Sequence, residues 1–144
     1  MNILVLGGSG FVGRRVVQGL REYGHQVSTP SHQELDLLNV SADAAQRCLQ
    51  NQDVVVNTVG VMSRHAAILE TVHHHAPKQL AIWAKQAGVA RWVQLSALGA
   101  NAQHTVHFVG SKGRGDGAVC ESGLEVNIAR PSVIYGRGGV SCEL

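Results

Sequence analysis

The residues whose chemistry is easiest to name lie in GGSGFVG, residues 7–13. Gly7, Gly10 and Gly13 are spaced GxxGxxG, with Ser9, Phe11 and Val12 between them. They follow a short apolar run and open a stretch of helical spacing, the context in which three glycines cradle a phosphate. One glycine allows the tight turn, one lets backbone approach a pyrophosphate, and one lets the helix pack closely on the strand. Unpaired N–H groups at the helix start, with the helix dipole, hold the anion. The segment therefore reads as a dinucleotide site. An acidic residue about 20 positions further on would bind a ribose 2′-hydroxyl. Pro30, Ser31 and His32 stand there instead, while Arg14 and Arg15 directly follow the third glycine. Arginines so placed can reach a 2′-phosphate, so the reading is NAD(P) with a slight lean to NADP.

Other candidate groups carry less. His73, His74 and His75 are consecutive and lack the i, i+4 spacing that puts two ligands on one helical face. His65 is too distant in sequence to join them, so they read as surface histidines and no metal site is expected. Cys48, Cys120 and Cys142 are widely spaced with no CxxC, which argues against a disulfide framework or a zinc site. None of the three receives a functional reading. Trp83 and Trp92 lie in apolar patterns and belong to a core or an interface.

These groups need a scaffold. NILVL (2–6) reads as a strand buried on both faces. Apolar residues from Phe11 to about Tyr23 recur at helical spacing, and Gly24 stops that helix. QVSTP (26–30) is a second strand and ELDL (34–37) a brief third. Ser41 can N-cap a helix over about 42–50. DVVVNTVG (53–60) is the strongest strand signal. Residues 66–87 are helical, with Pro77 expected to kink or divide them. RWVQLS (91–96) is a strand, 110–121 a weak glycine-burdened helix, and LEVNIARP (124–131) the last strand. The alternation predicts an α/β fold with a doubly wound parallel sheet, one domain over 1–144.

Composition agrees. The 144 residues are 44% hydrophobic and 15% charged, enough to bury roughly 68–70% of the unfolded surface without staples. A net charge of +2 and an aromatic content of 4% exclude a basic, aromatic-laced nucleic-acid surface. No stretch approaches the length of a membrane span. The first residues lack the basic and long apolar regions of a signal peptide, so a cytoplasmic protein is expected.

Taken together, GGSGFVG, LDLLN (35–39), VNTVG (56–60), LSALGA (95–100) and ARPSVIYGRGG (129–139) resemble the extended and atypical short-chain dehydrogenase/reductases. AGVARWVQLSALGAN is most similar to the branch of NAD-dependent epimerase/dehydratase-like proteins that includes the NAD(P)-binding accessory subunit of respiratory complex I. The resemblance spans essentially the whole chain. It implies a Rossmann fold with strand order 3-2-1-4-5-6 and cofactor at the C-terminal strand ends. It implies Asp36 and Leu37 on the adenine side, and Thr58, Val59 and Gly60 beside the cofactor. Pro131 follows the last core strand, and Ser96 takes the active-site serine position. Family members continue well beyond this chain's length with a substrate lobe, which residues 1–144 lack.

The resemblance also implies a tyrosine four residues before a lysine, the tyrosine exchanging the substrate proton and the lysine lowering its pKa and holding the ribose. Lys112 matches, but HFVGSK (107–112) places Phe108 where the tyrosine belongs. A phenyl ring cannot exchange a proton, and losing a positioned acid–base group costs about 10²–10⁴-fold in rate. His107 and His104 are the candidate substitutes. Three functions follow: an NAD(P)-binding domain without ordinary Tyr–Lys chemistry, an oxidoreductase or epimerase acting on a small carbonyl compound or nucleotide sugar, and a cofactor-stabilised module that senses redox state or assembles with a protein partner.

Overall fold

The structure is a computed structural model and describes residues 1–139; Cys142 lies outside the described residues. Five parallel strands form one sheet in the order β2-β1-β3-β4-β5: β1 (Asn2–Leu6), β2 (Gln26–Ser28), β3 (Val54–Asn57), β4 (Arg91–Leu95) and β5 (Glu125–Ala129). The order is the expected one without its third strand. Residues 31–39 turn instead of extending. Ser31 Oγ accepts the Glu34 N–H while Glu34 Oε1 accepts the Ser31 N–H, and Asp36 Oδ1 accepts the Leu38 N–H. These short side chains take the backbone donors that a sheet ladder would need. Leu35 is still buried from this loop, 5% exposed.

The sheet alternates its side chains between two helical layers. Leu4, Leu6, Val55 and Trp92 meet residues of α2 (Ala42–Leu49), α4 (Ala76–Gln86) and α5 (His107–Cys120). Ile3, Val5, Val54 and Val56 meet Val16, Val17 and Leu20 of α1 (Phe11–Glu22). Ser41 caps α2 as expected, its hydroxyl accepting from the Ala44 N–H at 3.2 Å. Over β4 and β5 the α1 side of the sheet carries no helix among the described residues, and Arg91, Glu125, Asn127 and Ala129 are exposed there.

Pro77 divides the long helix as expected, and the division has a definite form. Between α3 (Ala66–Glu70) and α4 lies a π-helical turn, Thr71–His75. Proline has no N–H to give the carbonyl four residues back, which is that of His73. A wider turn relieves the register there. α5 crosses this point so closely that a Cβ on Gly115 would run into the His73 carbonyl. Gly110, Gly113 and Gly115, which weaken α5 by propensity, are thus ones that let it pack, and the helix begins at His107, earlier than its composition predicts.

Candidate functional site

At the C-terminal edge of the sheet, β1 ends at Leu6 and the chain turns through the glycines into α1. Gly10 N–H donates to the Gly7 carbonyl at 3.0 Å and closes the turn. A Cβ on Gly13 would collide with that same carbonyl, so only glycine lets α1 sit this close to the strand. Gly10 caps α1 with no side-chain hydrogen bond, and the first turn holds no acidic residue. The leading N–H groups of α1 are therefore without an internal anion, as a phosphate site requires. Thr58 Oγ donates to the Leu6 carbonyl at 2.8 Å and ties the loop after β3 to this turn.

A groove of about 630 Å³ opens above these strand ends, a size suited to a small-molecule or cofactor site. It gathers Gly7, Ser9, Gly10, Asp36, Leu37, Thr58, Val59 and Gly60, all expected from sequence. Its wall also includes Gly8, Thr29, Glu34, Leu38, Ile68 and Val72, which sequence reasoning did not assign. Ile68 and Val72 carried only a helical period, and nothing local shows that this helix faces the groove. Glu34 is an acidic group in the groove wall, two residues past the neighbourhood in which none was found. Asp36 lies in the groove with one carboxylate oxygen engaged in its own turn.

Phe11, Val12, Gly13 and Arg14 belong to the start of α1 rather than to the groove wall. Phe11 packs beneath the segment after β5, its ring against Gly136 and Gly139. The Arg15 guanidinium lies over this ring, 4.4 Å from its centroid. Arg14 Nη2 donates to the Arg137 carbonyl at 3.2 Å, and Arg15 donates to the same oxygen. Arg14 also borders a second cleft with Gly8, Gln18, Arg21 and Thr29. Pro131 is half-buried in the segment that follows β5.

Lys112 lies in the first half of α5, 6% exposed. Its Nζ donates to the Val59 and Leu95 carbonyls, both at 3.4 Å. These bonds are long, and they hold the ammonium between the loop after β3 and the end of β4. Burial lowers its pKa, and the nearby Asp116 charge partly restores it. The Phe108 ring lies one turn earlier, its centroid 5.9 Å from Nζ. The two expected partners are thus brought together, with a ring that has no proton to exchange.

Ser96, 6% exposed just past β4, faces α5: its hydroxyl donates to Asp116 Oδ2 at 2.5 Å. A serine whose proton is committed to a carboxylate can accept a further hydrogen bond but has none to donate. Sequence reasoning did not single out Asp116. Its signal was the spacing, four residues after Lys112 on one helix.

The histidines need one correction. His73 is not a surface residue but is 2% exposed. Its Nε2 accepts from the Val61 N–H at 3.1 Å, and its Nδ1 meets Ser111 Oγ at 3.0 Å. The Phe108 ring stands edge-on to it at 5.2 Å. Burial, then the Lys112 charge, push its pKa down to about 4, so it is neutral near pH 7 with both ring nitrogens engaged. His74 is half-buried against Glu70, at 2.6 Å, and His75 is exposed. The π turn brings Glu70, His74 and His75 within ligating distance of one another, which the plain helical period did not predict. Arg114 already grips both Glu70 oxygens, at 2.7 Å each, and its cation opposes a metal ion there. The proposed substitutes, His104 and His107, are both exposed, and His104 Nδ1 accepts from the Val106 N–H.

The comparisons agree with this geometry. Residues 3–109 match the family model described as NAD dependent epimerase/dehydratase family. A curated relative from Arabidopsis thaliana, "NADH dehydrogenase [ubiquinone] 1 alpha subcomplex subunit 9, mitochondrial", is 30% identical over 92% of this chain and 38% of its own. The chain thus spans well under half of that relative. Two solved structures share the fold. A dTDP-4-dehydrorhamnose reductase from Bacillus anthracis in complex with NADP has a TM-score of 0.81 at 15% identity, covering 96% of this chain and 55% of its own. A short-chain dehydrogenase/reductase superfamily protein from Agrobacterium tumefaciens with bound NAD has a TM-score of 0.73 at 24% identity, covering 90% and 48%. From the glycine turn, the groove above it and the match over residues 3–109, this chain belongs to the NAD dependent epimerase/dehydratase family.

Proposed function

We propose that residues 1–144 form a dinucleotide-binding domain that holds NAD(P) without the usual Tyr–Lys proton transfer. The observation that carries this reading is the contrast within one site. The uncapped start of α1 and the Lys112 ammonium are kept, while the two proton donors are missing: Phe108 has no hydroxyl, and the Ser96 proton is given to Asp116. Anion binding needs backbone N–H groups and a cation. Carbonyl reduction also needs a proton delivered to the oxygen as hydride arrives. Lys112 would hold the ribose, and the α1 N–H groups the pyrophosphate. Thr58, Val59 and Gly60 would line the nicotinamide half, and Asp36 and Leu37 the adenine half.

NADP is the proposed form. The cleft bordered by Arg14, Gln18 and Arg21 shares Gly8 and Thr29 with the groove, which supports a 2′-phosphate there; the Glu34 carboxylate counts against one. Calorimetric titration of the purified chain with NADPH and NADH tests the proposal. Binding of NADPH in the micromolar range, with no turnover on a panel of carbonyl compounds, is expected. No heat from either cofactor at millimolar concentration ends it.

A second reading is an assembly module for a larger oxidoreductase. Its support is the relative named as a subunit of an NADH dehydrogenase and the bare sheet face over β4 and β5. Cofactor-dependent co-purification with a defined protein complex checks it.

A further inference from the structure

Asp116 is 2% exposed, and an ionised carboxylate that deep is costly unless it is fully paired. It is not fully paired. Oδ2 accepts from Ser96 Oγ and, at 3.4 Å, from Arg130 Nε, while Oδ1 is buried with no hydrogen-bond partner. An asparagine of the same shape could accept from Ser96 without the penalty of a buried charge. The tie to Ser96 therefore does not explain why a carboxylate stands here. What an amide cannot supply is the negative charge. On α5, Asp116 lies four residues from Lys112, the separation that stacks two side chains on one helical face.

We propose that Asp116 is a positioning residue whose negative charge keeps the buried Lys112 amine an ammonium, so that the ribose of a bound dinucleotide meets a cation. This rests on the dinucleotide reading above. The groups around Lys112 make the charge necessary. From α5 itself come the uncharged Phe108 ring and Asp116. The π turn presents His73, neutral near pH 7. The loop after β3 and the end of β4 present only the Val59 and Leu95 carbonyls. The segment after β5 brings Arg130, whose cation lies on Asp116 and whose side chain is 47% exposed, so solvent screens it. Among these groups Asp116 is the one that can carry a negative charge, and that charge acts against the burial that favours loss of the Lys112 proton. A tyrosine at position 108 would have offered the ammonium a phenolic oxygen; Phe108 leaves that work to Asp116.

The test is the pH dependence of NADPH binding, followed by nucleotide fluorescence from pH 7 to 10 in the parent, Asp116→Asn and Lys112→Met. In the parent, Kd is expected to rise at alkaline pH as Lys112 loses its proton, by up to about tenfold per pH unit. Asp116→Asn should keep the fold and shift this rise to lower pH. Lys112→Met should bind weakly at every pH with no such rise. Coincident curves for the parent and Asp116→Asn would overturn the inference and leave the cofactor reading standing. Failure of the parent to bind NADPH at any pH would overturn the cofactor reading and the inference with it. Should Asp116→Asn not fold, the ¹³Cε shift of Lys112 in the parent reads its charge directly. Measured also in a second variant, Asp116→Ser, an alkaline titration of that shift moved to lower pH supports the inference, and one coincident with the parent's sinks it.

Discussion

Lys112 and Phe108 stand one turn apart on one helix, an ammonium beside a ring that has no proton to exchange. Removing the ammonium by Lys112→Met deletes a charge-assisted hydrogen bond worth about 1.5–3 kcal/mol. NADPH affinity should therefore fall by about tenfold or more by calorimetry, and the melting temperature should fall too, because Asp116 loses a buried counter-charge and the Val59 and Leu95 carbonyls lose their donor. Phe108→Tyr probes the same turn from the other side. The introduced phenol would stand where the ring centroid is now, 5.9 Å from Lys112 Nζ. A cation at that range favours phenolate, so this hydroxyl should titrate below the ordinary value of about 10. Ultraviolet difference titration against the parent measures it, since Tyr23 and Tyr135 are exposed and contribute equally to both proteins. A phenol titrating at or above the ordinary value would mean that Lys112 does not reach it. His73 is neutral and engaged at both ring nitrogens, so it has no free position from which to take the part of the phenol. A proton there would have to displace the Val61 N–H from Nε2.

The π turn and α5 form the element that carries the site, and both respond to acid in ways that can be separated. His73 has a folded pKa of about 4 against an ordinary 6.5. The unfolded chain therefore takes up its proton first, and stability falls as pH drops from about 6.5 towards 4, then levels. Glu70 is held down to about 2 from 4.5, first by its hydrogen bond to Arg114. Its contribution is present above about 4.5 and is lost as pH falls towards 2. Urea midpoints measured from pH 7 to 2.5 should thus decline in two stages. His73→Asn should flatten the upper stage and Glu70→Gln the lower. A single decline unaffected by either variant would contradict both assignments. Much of this element was unreadable in sequence. The apolar period from Ala66 to Ala87 gave the helix, and Pro77 gave its division. The burial of His73 depends on the fit of Gly115 against its carbonyl, a contact 42 residues apart that no local pattern carries. ELDL failed for the opposite reason. Its alternation fits a strand, but Ser31, Glu34 and Asp36 take the backbone donors locally. The glycine turn was legible because all its constraints, the turn, the close packing and the free N–H groups, fall within seven residues.

On the scale of the whole molecule, a parallel sheet between two apolar layers follows from strands and helices that alternate in sequence, while the sheet order, apart from the missing strand, is the one the family resemblance implied. Of the polar interior, the resemblance singled out Ser96 and Lys112, but Asp116 and Arg130 were not legible, because the four meet from three separate segments. Lys112 joins this interior to the groove wall through the Val59 carbonyl, and ligand binding should therefore be felt beyond the glycine turn. A ligand that binds only the native state stabilises it by RT ln(1 + [L]/Kd), about 2.7 kcal/mol at a hundredfold excess over Kd. For a chain of this length that corresponds to a rise in melting temperature of about 6–14 °C, by interpolation between smaller and larger domains. Saturating NADPH should produce such a shift in the parent. In Gly13→Ala it should produce none, because the added methyl meets the Gly7 carbonyl and forces α1 away from the turn that holds the phosphate. The unliganded variant should also melt lower than the parent, so the decisive quantity is the increment on adding cofactor. Equal increments in the two proteins would mean that the dinucleotide binds away from the start of α1, and the reading of this domain would have to be rebuilt around another part of its surface.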